Sequence, residues 1–133
     1  MTGDAREELV TRLQAHHREH NLWRVPFACA RATLERLGGA GLRLGAGSNA
    51  DGRAGAILRA TGLAEWLDVI VDSHLEGVEK PDAEIFRRAL ERLGVAAGAS
   101  LFVGDIVSID VVGARNAGLR PVLLDAAGVY EDV

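Results

Sequence analysis

Three short polar clusters carry the side chains in this sequence best suited to chemistry. Gly47-Ser48-Asn49 sets a hydroxyl and a carboxamide just ahead of a predicted helix. Backbone N–H groups near a helix start, with the positive end of its dipole, make a seat for phosphate. The same residues also suit a plain Ser/Asn turn with Asp51 as the helix N-cap. Glu79-Lys80-Pro81-Asp82 holds the only lysine among 15 basic residues. A compact ammonium there suits neutralising a phosphate oxygen or holding two carboxylates apart; the alternative is a solvated loop lysine. In Gly104-Asp105-Ile106-Val107-Ser108-Ile109-Asp110, one carboxylate ends an apolar strand and a second follows in the next helical turn. Two carboxylates at a strand's carboxyl end suit Mg²⁺, a hard ion that keeps several of its waters. The alternative has Ser108 capping that helix and Asp110 favouring its dipole.

A fourth group, His16, His17 and His20, lies near the end of the first predicted helix. His16 and His20 share a face at i, i+4, which is compatible with a metal. No acid stands where a zinc-binding His-Glu-x-x-His helix would carry one, and no third ligand is apparent. These histidines read as a solvated helix end.

The elements that must position the clusters follow from periodicity and stop signals. Asp4 followed by Glu7 resembles a capping box, starting a helix to about His20 with Leu9, Val10 and Leu13 on one face. Pro26 fits the first turn of a second helix that Gly38-Gly39 stops. Strands are predicted over Leu42 to Gly47, Asp68 to Asp72, Ser100 to Gly104 and Pro121 to Leu124. Helices are predicted over Asp51 to Thr61, Asp82 to Leu93 and Ile109 to Ala117. Strands separated by helices of this length imply right-handed crossovers and an α/β doubly wound, parallel sheet covered on both faces. Ligands bind such sheets outside the carboxyl ends of the strands, where the three clusters fall.

At 133 residues the chain has the length of one domain, able to bury roughly 65–70% of its unfolded surface. A net charge of −4 without a basic patch gives no reason to expect nucleic acid. No apolar run approaches a membrane span, and no leader pattern is present. Cys29 stands alone, so no intrachain disulfide forms and a reducing, cytoplasmic setting is expected.

In order, Gly-Ser-Asn after a strand, Lys-Pro-Asp with Ile-Phe following, and Gly-Asp with a second Asp five residues on resemble motifs two, three and four of the haloacid dehalogenase (HAD) superfamily. The resemblance runs from about Leu22 to Asp125 and includes Asp68–Ser73 (DVIVDS) and Glu79–Phe86 (EKPDAEIF). It implies a HAD-like Rossmannoid core at 22–133 and, at 1–21, the remnant of a helical cap. It also implies a Mg²⁺-dependent phosphatase ancestry, acting on small phosphorylated metabolites. Ser48 and Asn49 would then bind the phosphate, and Lys80 would pair with phosphate and nucleophile. Asp105 would ligate Mg²⁺, with Asp110 a direct or water-mediated helper.

The family's chemistry starts from an aspartate nucleophile in an Asp-x-Asp motif after the first strand, forming an aspartyl-phosphate. The aspartates here stand at 4, 51, 68, 72, 82, 105, 110, 125 and 132, and no two are two apart. By resemblance, the central strand of the sheet and most of the cap are missing, as in a truncated copy. The expectation is a chain inactive alone, with unpaired inner strand edges. A homodimer or a complementing chain would supply the strand. The alternative functions are a non-catalytic phosphate- and Mg²⁺-binding regulatory module, or an assembly fragment.

Overall fold

A computed structural model describes the backbone of residues 3–130 and side chains from Ala5 onward. Four parallel strands alternate with helices, as the periodicity predicts, but they form two separate pairs. Strand β1 (Gly45–Ser48) pairs with β2 (Val69–Asp72), and β3 (Leu101–Gly104) pairs with β4 (Arg120–Leu123). No ladder joins β1 to β3. The inner edges of the two pairs are therefore unpaired among the described residues, at the position where the family resemblance implies a central strand.

Helix α1 (Gly3–His20) stops where predicted; the capping side chain expected at Asp4 lies outside the described residues. Helix α2 (Ala30–Gly39) starts four residues beyond Pro26 and buries none of its residues. Helix α3 (Ala54–Ala60) also starts late, because Asp51 is spent on a local turn to the Arg53 N–H rather than on capping. A short α4 (Ser73–Glu76) follows β2 directly. Helix α5 (Ala83–Leu93) begins at Asp82, whose side chain accepts the Glu84 N–H, and ends at Gly94 with φ +68°. That left-handed stop costs a glycine little. The last crossover starts as a π-turn over Val107–Val111 before α6 (Val112–Asn116).

Helix α5 ties the halves together. Its buried Ile85, Phe86 and Leu90 meet Val71 of β2, Ala114 of α6 and Leu119, forming one core. Each large side chain buried there contributes about 1.5–3 kcal/mol. Phe86 packs edge-to-face on Phe102 of β3, ring centres 4.9 Å apart, and Leu93 lies 3.1 Å from where a Cβ on Gly45 of β1 would stand. The opposite face of the β3–β4 pair is bare: Leu101, Val103, Val122 and Leu124 are all exposed. Parallel sheets are normally covered on both faces, so this face lacks an expected layer.

Candidate phosphate and metal site

The carboxyl ends of β1 and β3 are joined by a chain of side-chain bonds through the loop before α5. Asn49, the first residue after β1, clamps the backbone of Lys80 with both ends of its carboxamide. Its Nδ2 donates to the Lys80 carbonyl and its Oδ1 accepts the Lys80 N–H, each at 2.8 Å. Lys80 precedes a cis Lys80-Pro81 peptide bond. Its Nζ donates to Asp110 Oδ1 at 2.6 Å, and both side chains are nearly buried, 11% and 5% exposed. The ammonium also lies 5.2 Å from the centre of the Phe102 ring.

Asp110 is the electrostatic centre of the arrangement. Its second oxygen accepts the backbone N–H groups of Asp105 at 3.1 Å and Ile106 at 3.0 Å. Burial alone would raise this carboxyl. The Lys80 ammonium and the N–H groups of Ile106 and Asp105 outweigh burial and hold it below its ordinary value. The carboxylate presses against Gly104, where a Cβ would meet Asp110 Cβ and Cγ at 2.4 Å. Glycine is therefore required at this strand end for the approach of a side chain rather than for its φ.

Asp105 contrasts with its neighbour. It is exposed at the end of β3, and among the described residues its carboxylate has no hydrogen-bonding or ion-pair partner. A free carboxylate of this kind fits a hard divalent cation with several waters. Asp110, with both oxygens engaged, is arranged to hold an ammonium. Ser48 is the last residue of β1, in register with Asp72 of β2, and its hydroxyl too has no partner among the described residues. The structure thus brings Asn49, Lys80 and Asp110 into direct contact and leaves Ser48 and Asp105 unengaged. Among the described residues, no three His, Cys, Asp or Glu side chains converge as a metal cluster. His16 and His20 stack edge-to-face at 4.7 Å, and both are exposed.

Two residues that sequence reasoning passed over hold the Ser48 loop in place. Buried Asp72 accepts the N–H groups of Gly52 and His74 with Oδ1 and that of Ala54 with Oδ2. It thereby caps α3 from the neighbouring strand, the role assigned locally to Asp51. Ser73 Oγ bonds both the N–H and the carbonyl of Ala50. The only sequence signal for either was their place in the stretch Asp68–Ser73.

A family model described as haloacid dehalogenase-like hydrolase matches residues 3–118. The chain belongs to this family. It is 41% identical over 103 residues to haloacid dehalogenase-like hydrolase domain-containing protein 3 of Danio rerio, covering 77% of this chain and 42% of that protein. It is 34% identical over 130 residues to a phosphatase of Mycobacterium tuberculosis, covering 96% of this chain and 57% of that protein. Among solved structures, a HAD phosphatase from Thermococcus onnurineus superposes with a TM-score of 0.75 at 33% identity, over 77% of this chain and 47% of that one. The chain spans about half the length of these relatives. The HAD-like α/β fold and family membership expected from the motifs are borne out. No helix among the described residues is long and apolar enough to cross a membrane.

Proposed function

We propose that this HAD-like hydrolase core is the phosphate- and metal-binding half of a Mg²⁺-dependent phosphatase acting on small phosphorylated metabolites. The observation that carries the reading is the Lys80 ammonium, buried and fixed at both its backbone and its tip. One of its three N–H donors goes to Asp110, which leaves two for phosphoryl oxygens. Ser48 binds the phosphate through its free hydroxyl, and Asp105 holds Mg²⁺. Asn49 acts on the phosphate through the Lys80 backbone, and Asp110 acts on the metal through the strand end it organises. Fixed positive charge of this kind stabilises negative charge developing on a transferring phosphoryl group.

Within these 133 residues no Asp-x-Asp supplies a nucleophile. On this reading the seat binds without turning substrate over until another polypeptide segment adds a strand between β1 and β3. The unpaired edges and the bare β3–β4 face support such a partner. A second copy would cover them without adding a nucleophile, whereas a complementing chain carrying an Asp-x-Asp would supply both. Residues 1–21 are read as the remnant of a cap. The absence of the nucleophile favours a second reading, a regulatory module that binds phosphate and Mg²⁺ without chemistry.

The deciding experiment is Mg²⁺-dependent hydrolysis of an aryl phosphate by the purified chain and by Asp105→Asn. Thermal stabilisation by inorganic phosphate is measured in parallel. Stabilisation without hydrolysis, lost in Asp105→Asn and Lys80→Met, is the expected result. Hydrolysis that disappears in Asp105→Asn would mean that the chain finds a nucleophile of its own. No stabilisation and no hydrolysis would overturn both readings.

A further inference from the structure

Along the body of α1 the apolar side chains Leu9, Val10 and Leu13 are each about half exposed. Its last turn, in contrast, is held tightly. Arg53, in the loop after β1, donates from Nη1 to the Arg18 carbonyl at 2.8 Å and from Nη2 to the His17 carbonyl at 3.1 Å. Both carbonyls lie in the last turn, where acceptors run out of partners within the helix; that of His17 also accepts the Asn21 N–H at 2.9 Å. The other side of the guanidinium bonds Asp51 Oδ2, with Nε at 2.9 Å.

Beyond the helix end, buried Asn21 takes φ +52° and its side chain accepts the Trp23 N–H at 2.7 Å. The Leu22 N–H goes back to His17 Nδ1 at 3.2 Å. The junction between α1 and the core is thus a few residues of tightly bonded backbone, with Arg53 fastening it to the loop. That same loop begins at Asn49, directly after Ser48 at the end of β1. Its Ala50, Gly52 and Ala54 are pinned by Ser73 and Asp72, and its Asn49 grips Lys80.

We propose that Arg53 is a latch, a positioning residue that couples the pose of α1 to that of Ser48, Asn49 and Lys80. A shift of α1 about Asn21 pulls on Arg53 and Asp51, and through the loop on the Asn49–Lys80 clamp. The planar fork of arginine serves two carbonyls and a carboxylate from separate nitrogens at fixed angles, a geometry that the single nitrogen of an ammonium does not reproduce. By reciprocity, phosphate held at Ser48 and Lys80 steadies the α1 junction. Only this last step rests on the phosphate-seat reading above.

The test is backbone amide exchange followed by NMR on the full chain without ligand, for wild type, Arg53→Ala and Arg53→Lys. It is paired with titration of inorganic phosphate in the presence of Mg²⁺. In Arg53→Ala, exchange is expected to quicken at Asn21 and Leu22 and also at Lys80, whose N–H is bonded to Asn49. The phosphate Kd is expected to rise about fivefold, the low end for coupled sites. Arg53→Lys is expected to recover only part of either effect.

Faster exchange confined to Asn21 and Leu22, with Lys80 and the phosphate Kd unchanged, would overturn the latch and leave Arg53 as a cap on α1. If wild type binds no phosphate, the seat reading falls and the Lys80 amide alone decides: quicker in Arg53→Ala supports the latch, unchanged overturns it. Should Arg53→Ala fail to fold, Asp51→Asn weakens the same clamp and is judged by the same amides.

Discussion

At Asp110 the cost of burying a charge and the gain from pairing it oppose each other most directly. Removing one member of a buried pair leaves the other uncompensated, so Lys80→Met is expected to destabilise the chain by about 3 kcal/mol. The pair also sets an acid dependence. Asp110 titrates below its ordinary value of 3.8 in the folded chain. Its stabilising contribution is therefore complete above about that pH and is lost as pH falls through the lower folded value. In Lys80→Met burial acts with less opposition, so the acid-unfolding limb should move to higher pH, as followed by circular dichroism. An unchanged limb would mean that Lys80 does not hold the carboxylate. Gly104 supplies a second prediction at this scale. Gly104→Ala must displace the Asp110 side chain, and both thermal stability and phosphate binding are expected to fall although β3 itself accommodates alanine.

Among the elements, α3 and α5 show how local signals and tertiary partners divide the work of capping. Helix α5 is self-sufficient: Asp82 caps it and Gly94 ends it. Glu84 in its first turn is pushed down to about 2, chiefly by hydrogen bonds from Arg87 and then Arg88. Helix α3 has no side-chain cap of its own and depends on Asp72 from β2. Asp72→Ala is expected to cost about 2 kcal/mol, at the upper end for a lost cap because three N–H groups lose their acceptor together. Urea unfolding would measure this, and exchange at Gly52, Ala54 and His74 would locate it. Asp51→Ala should leave the Ala54 amide protected, since Asp51 does not cap that helix.

For the whole molecule, the governing feature is a parallel sheet divided into two pairs with one bare apolar face. Exposed strand edges and a bare sheet face favour association. Sedimentation of the purified chain should show self-association that rises with concentration. Val103→Lys, placing a charge on the bare face, is expected to reduce association while changing monomer stability little, because Val103 is already 57% exposed. A strictly monomeric wild-type chain would rule out a second copy as the strand donor proposed above.

The alternation of strands and helices, the amphipathic α5 with its cap and stop, and the three motif clusters were all legible in the sequence. Each rests on local chemistry: periodicity, capping and glycine stops act over a few residues. The lone lysine before Pro81 marked the residue around which the candidate site is built. Three matters were decided only by tertiary structure. Lys80 bridges the β1 loop and the helix turn after β3, so Asn49 clamps a backbone 31 residues away and Asp110 holds an ammonium. The cap of α3 passed from Asp51 to Asp72 because the strand pairing brings that carboxylate to the helix start. The hold of Arg53 on α1 had no local signal, because the carbonyls it reaches lie at a helix end 35 and 36 residues earlier in the chain. Bonds between a side chain and a distant backbone leave no trace in spacing or periodicity, since the backbone acceptor is the same whatever residue carries it.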